Sequence, residues 1–112
     1  MSIQIVDYSN LDLEAIAKPM GLQAKHVPLI VSVFIDDSLS MLNDLEIAID
    51  KKDYESMKQT AHSIKGSAGN LRFDAVHEMA QEMEFAADKM EEQFDYEAYF
   101  KAIKTAINTI SV

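Results

Sequence analysis

Cysteine is absent from the 112 residues, which excludes disulfide frameworks, thiolate zinc sites and cysteine nucleophiles. Cations are scarce: 10 Lys and Arg stand against 19 Asp and Glu, a formal charge of −9. Phosphate backbones and anionic lipid repel such a chain, so neither a nucleic acid nor a membrane is an expected partner. Long apolar runs are missing as well. The longest, Val27 to Ile35, is interrupted by Pro28 and Ser32 and is too short to span a bilayer. No basic stretch precedes an apolar one at the start, so a cytoplasmic location is expected rather than secretion. With three glycines and two prolines, helix breakers are few, and nothing reads as a linker, repeat or low-complexity tract.

Against these absences, 48% of the residues are hydrophobic, enough for a folded core. The length suits one domain, 1–112, and a chain of this size buries roughly two-thirds of its unfolded surface. The start at Met1 and the end just after the last helix favour a free-standing protein.

Apolar spacing predicts helices throughout, without strand-type alternation. Ser9 and Asn10 precede Leu11–Glu14 as a capping-type start for a short first helix ending near Lys18. Pro28 suits the first turn of a second helix reaching about Ile49, with Ile30, Phe34, Met41, Leu45 and Ile49 at helical spacing. Lys51-Lys52-Asp53 marks a turn. In the third helix Met57, Ala61, Ile64, Ala68 and Leu71 form a stripe about 80° wide. Asp74 is the expected cap of a fourth helix with a seam of Val76, Met79, Met83, Ala86 and Met90. A fifth follows Asp95, with Tyr96, Tyr99, Phe100, Ile103, Ala106, Ile107 and Ile110 inward. Short connections make neighbours antiparallel, which predicts an all-α fold: a four-helix bundle with a short additional N-terminal helix.

His62 stands off the core pattern. On the third helix it points about 140° from the centre of the apolar stripe, into solvent. Lys58 and Gln59 lie one turn before it, and Lys65, Gly66 and Gly69 one to two turns after. Each helix-interior glycine sacrifices about 1 kcal/mol relative to alanine. Two of them on an exposed face leave bare helix beside an imidazole and an ammonium, where another molecule can come close.

That chemistry fits phosphate. A neutral imidazole is a competent nucleophile near physiological pH, and its nitrogen can carry a phosphoryl group. Phosphoryl transfer needs positive charge beside the moving oxygens and an in-line approach. Lys65 is placed to supply the charge, and Gly66 removes the side chain that would block a donor. Lys51 to Arg72 holds five basic and two acidic residues, whereas Asp74 to Glu97 holds nine acids and only Lys89. On charge alone, His62 sits on a locally basic surface of an acidic protein.

Ala61-His62-Ser63-Ile64-Lys65-Gly66-Ser67-Ala68-Gly69-Asn70-Leu71 resembles the signature of histidine-containing phosphotransfer (HPt) domains, the four-helix-bundle phosphocarriers of two-component phosphorelays. The pattern continues into the helix from Val76 to Met90. The resemblance implies that His62 accepts and donates the phosphoryl group, that Lys65 is its neighbouring positive charge, and that Gly66 admits the partner. It implies as partner a response-regulator receiver domain, a hybrid sensor histidine kinase or both, with a monomeric carrier. The carrier would not be an enzyme in its own right and would have no cofactor, since Mg²⁺ belongs to the receiver's site. Family members often carry a glycine after the Asn-Leu pair, where this chain has Arg72-Phe73, so a different turn is expected there.

Lys58, Gln59 and Gly69 complete the expected partner surface. If the third and fourth helices form a hairpin turning near Arg72-Phe73, His62 is level with about residues 81 to 84, and Gln81 or Glu84 can flank the imidazole or Lys65. Ser67 on the flank of the stripe reads as packing, His26 as incidental, and His77 as a residue off its helix's seam. No Gly-rich phosphate loop, kinase signature or Ser-His-Asp arrangement is present, so ATP chemistry by this chain alone is excluded. A di-iron bundle needs two Glu-x-x-His pairs, and the chain offers only Asp74-x-x-His77, so no metal site is expected. The alternative from another class is a non-catalytic helical adaptor that binds its partner through the basic face around His62.

Overall fold

Three helices start on aspartates that do the same work. In the computed structural model, which describes residues 3–112, Asp12, Asp53 and Asp95 accept the backbone N–H three residues on, from Ala15, Ser56 and Ala98 at 3.1, 3.2 and 3.0 Å. These caps open α1 (Leu13–Ala17), α3 (Tyr54–Asn70) and α5 (Tyr96–Asn108); between them lie α2 (Val27–Lys51) and α4 (Asp74–Asp88). The cap of α1 is therefore Asp12, not Ser9 or Asn10. Pro28 occupies the first turn of α2, as the sequence predicts.

The ends of α2, α3 and α4 also share one device. Lys52, Arg72 and Met90 take left-handed backbone at φ 54°, 65° and 53°. The next residue then reaches back five positions: Asp53 to Ala48, Phe73 to Ala68 and Glu91 to Ala86, at 2.9, 2.9 and 3.0 Å. This closure satisfies carbonyls that a helix end would otherwise leave orphaned. Arg72 thus adopts the conformation that glycine takes freely, in the same closure that ends α2 and α4.

The molecule is 74% helical, with no strand among the described residues. It is a four-helix bundle in which α2 packs on α3, α3 on α4, α4 on α5, and α5 back on α2; α1 lies against the start of α2. The stripe predicted on α3 is buried in full, Met57 through Leu71. On α2 the buried face is Val27, Val31, Phe34, Ser38, Leu42, Leu45 and Ala48, while Ile30, Met41 and Ile49 are only half-buried. The expected seam was rotated because Ser38, a hydroxyl fully inside the bundle, interrupts the apolar pattern. Met90 leaves the α4 seam: it lies beyond the helix end and is 64% exposed. Phe94 fills that end of the bundle, its ring 4.4 Å from Tyr99 and 4.9 Å from Tyr96.

Asp74 is not the cap of α4. Phe73 holds the cap position with no side-chain oxygen to offer, and its buried ring packs on Tyr8 and Phe34. The Ala75 N–H donates instead to the Tyr8 hydroxyl at 3.1 Å, a cap supplied from the N-terminal segment. That segment also reaches the end of α5, where the Tyr8 N–H donates to Thr109 Oγ1 at 2.8 Å. Asp74 remains in the first turn, where its charge suits the helix dipole. Among the described residues no helix is long and apolar enough to cross a membrane.

Candidate functional site

Because α3 buries its stripe, its opposite face is presented outward, and His62 is there with its side chain 65% exposed. The turn at Phe73 sets α4 antiparallel beside it. Glu84 then lies as far after Phe73 as His62 lies before it. Its Oε2 is 2.8 Å from His62 Nδ1, and its Oε1 is 2.7 Å from Lys65 Nζ. Of the two flanking residues expected from the hairpin, Glu84 joins the site; among the described residues, Gln81 bonds to neither His62 nor Lys65.

The electrostatics follow from burial. The Glu84 side chain is only 15% exposed, and that desolvation pushes its carboxyl upward. Hydrogen bonds from Lys65 and His62, together with their charge, outweigh it and hold the carboxyl below the usual carboxylate range. An ionised carboxylate only accepts, so the His62 proton resides on Nδ1 and the Nε2 lone pair faces outward. Lys65 is not freely solvated. Its side chain is 18% exposed, held between Glu84 and the ring of Phe85, whose centroid is 6.0 Å from Nζ.

The face is not basic either. Lys58 reaches Asp88 at 3.4 Å and Glu55 at 3.5 Å, and Gln59 donates to Glu55 at 3.0 Å. Segment counts suggested a basic patch because they kept α3 apart from α4; the fold lays the acids of α4 against the lysines of α3. On the other flank, towards α2, the surface is largely apolar. Met20, Ile30, Val33, Ser67, Asn70 and Leu71 line an open groove there, with Asp37 as the charged residue of its lining.

The two glycines have different reasons. At Gly66 a side chain would meet nothing within 4 Å, so that position is bare helix open to solvent. Gly69 is not bare. A Cβ there would stand 2.9 Å from His77 Nδ1, so Gly69 is a close approach inside the bundle and not simply part of a free partner surface. His77 itself, set aside on helical angle alone, is half-buried, and its Nδ1–H donates to the Lys65 carbonyl at 3.0 Å. The signal for it is the mirror placement of positions 69 and 77 about Phe73, visible only once the hairpin is assumed.

A family model described as Hpt domain matches residues 29–111 of the chain. No curated protein and no solved structure shows significant similarity to it.

Proposed function

Since the chain belongs to the Hpt domain family, whose members relay phosphoryl groups through a histidine in two-component phosphorelays, we propose that His62 is the histidine that does so here. The observation that carries the assignment is the contact of His62 Nδ1 with Glu84 at 2.8 Å on an otherwise exposed ring. It leaves Nε2 as the free nucleophilic nitrogen, aimed at solvent.

In the proposed reaction Nε2 attacks the phosphorus of an aspartyl phosphate on a receiver domain. The P–N bond forms as the P–O bond breaks, and the receiver's aspartate leaves as a carboxylate. The imidazole becomes cationic in the process, and Glu84 balances that charge through the Nδ1–H it already holds. Reversal passes the group onward. Lys65 shares the same carboxylate and supplies a second positive charge close to the transferred oxygens. Gly66 leaves the approach open, and the largely apolar groove between α2 and α3, with Asp37 in its lining, gives the receiver a surface beside it. The chain acts as a monomeric cytoplasmic carrier with no cofactor of its own, and the Mg²⁺ belongs to the receiver.

Incubation with a labelled phosphorylated receiver tests this directly. His62 should acquire an acid-labile, base-stable phosphoramidate, and His62→Gln should abolish labelling with helical content unchanged. Full labelling of that variant would sink the assignment. Partner binding without any phosphorylation would mark the chain as an adaptor.

A further inference from the structure

We propose that Gly69 and His77 form a register pin between α3 and α4 that holds Glu84 on His62, making them positioning residues for the transfer. The inference rests on the assignment of His62 above and adds the means by which its partner is placed.

Three pairs link the two helices at equal distances before and after Phe73: Gly69 with His77, His62 with Glu84, and Lys58 with Asp88. The outer two pairs are charged or polar contacts, each with one largely exposed partner, His62 or Asp88, and such contacts yield more easily than a steric one. The innermost pair is steric. In a regular helix the Lys65 carbonyl accepts the Gly69 N–H, so a ring bonding that same carbonyl from outside must lie across position 69. His77 does so, with Nδ1 3.0 Å from the Lys65 oxygen. Only glycine permits this, because an added Cβ would stand 2.9 Å from Nδ1, 3.4 Å from Cε1 and 3.7 Å from Cγ of the ring. Glu84 follows His77 by two helical turns on the same face of α4, and His62 precedes Gly69 by two turns on α3. A shift at the pin is therefore carried along both helices to the 2.8 Å contact.

The sites of the two contacts also coincide. The carbonyl that His77 grips belongs to Lys65, whose side chain is the second group on Glu84. One residue of α3 is thus held to α4 by both its backbone and its ammonium.

The experiment compares wild type with Gly69→Ala, His77→Ala and the double variant. Two readouts need no partner protein: the ¹⁵N-resolved tautomer of His62, and the rate of phosphorylation by phosphoramidate, a small donor that releases ammonia. Relieving the clash in Gly69→Ala moves the ring by about 0.5 Å, and a misplacement of about 1 Å can lower a rate 100-fold, so a fall of roughly tenfold is expected. The Nδ1–H fraction of His62 should fall with it. His77→Ala should cause a smaller loss. In the double variant, where the methyl has room, both readouts should return most of the way to wild type.

An unchanged tautomer and rate in Gly69→Ala would overturn the pin, as would losses that multiply in the double variant. Slow transfer from a receiver with normal phosphoramidate kinetics would also overturn it, making Gly69 a docking position instead. If wild type took phosphate from neither donor, the assignment of His62 would fail, while the tautomer comparison would still decide the pin.

Discussion

Replacing Glu84 by glutamine keeps the shape of the side chain and removes its charge. The amide oxygen can still accept from His62 Nδ1, but the amide nitrogen then faces Lys65 Nζ, formerly paired with carboxylate oxygen at 2.7 Å. Hydrogen bonds to charged groups contribute about 1.5–3 kcal/mol when well buried. Here Lys65 and Glu84 are mostly covered whereas His62 is exposed, so the His62 share is discounted and about 1–2 kcal/mol remains. For a domain of this length, that lowers the melting temperature by roughly 4–8 °C. The sign with pH is fixed. Because the folded carboxyl titrates below its ordinary value of 4.5, its contribution is complete above that pH and is lost as the pH falls through the folded value. The gap in melting temperature between wild type and Glu84→Gln should therefore be open at pH 7 and close under acid. Transfer should slow by about 10- to 100-fold, the range seen when a carboxylate orienting a metal-bound histidine is removed. Melting curves at several pH values, run beside initial rates of phosphorylation, measure both effects. A variant that melts like wild type at pH 7 and accepts phosphate as fast would refute the bridging role of Glu84.

Lys65→Ala should both slow transfer and lower the melting temperature, by about 1 kcal/mol, because it leaves Glu84 buried without its cation; an unchanged melt would show the ion pair to be idle. Gly66→Gln should melt no lower than wild type, since nothing lies within 4 Å of that position, yet accept phosphate from a receiver on the order of 100-fold more slowly; normal transfer would remove its role in partner access. Arg72→Gly should stabilise the bundle by roughly 0.5 kcal/mol, the relief of left-handed strain at φ 65° exceeding the entropy that glycine adds to the unfolded chain. A lower melting temperature would mean that the Arg72 side chain itself holds the turn.

How the chain divides these matters between sequence and fold follows from range. The apolar stripe of α3, the aspartate ahead of α5, and the grouping of His62, Lys65 and Gly66 are set within one or two helical turns. Backbone hydrogen bonding and helical period act over that span, so the sequence by itself determined an all-α bundle and its outward histidine. Glu84 was within reach only through an assumed turn, which proved to lie where Phe73 buries its ring. The rest depended on contacts between distant segments. Ser38 occupies a core position because α2 is enclosed by α3 and α5, which a local hydropathy pattern cannot register. Asp74 lost its capping role to the hydroxyl of Tyr8, which accepts from Ala75, 67 positions along the chain. The basic face disappeared when α4 brought Glu84 and Asp88 against Lys65 and Lys58. Gly69 reads as open surface until the His77 ring is laid across it, its Nδ1 2.9 Å from where a Cβ would stand. Charge and steric exclusion act between whatever atoms the fold brings within a few ångströms, regardless of their separation along the chain, so only the tertiary structure decided them.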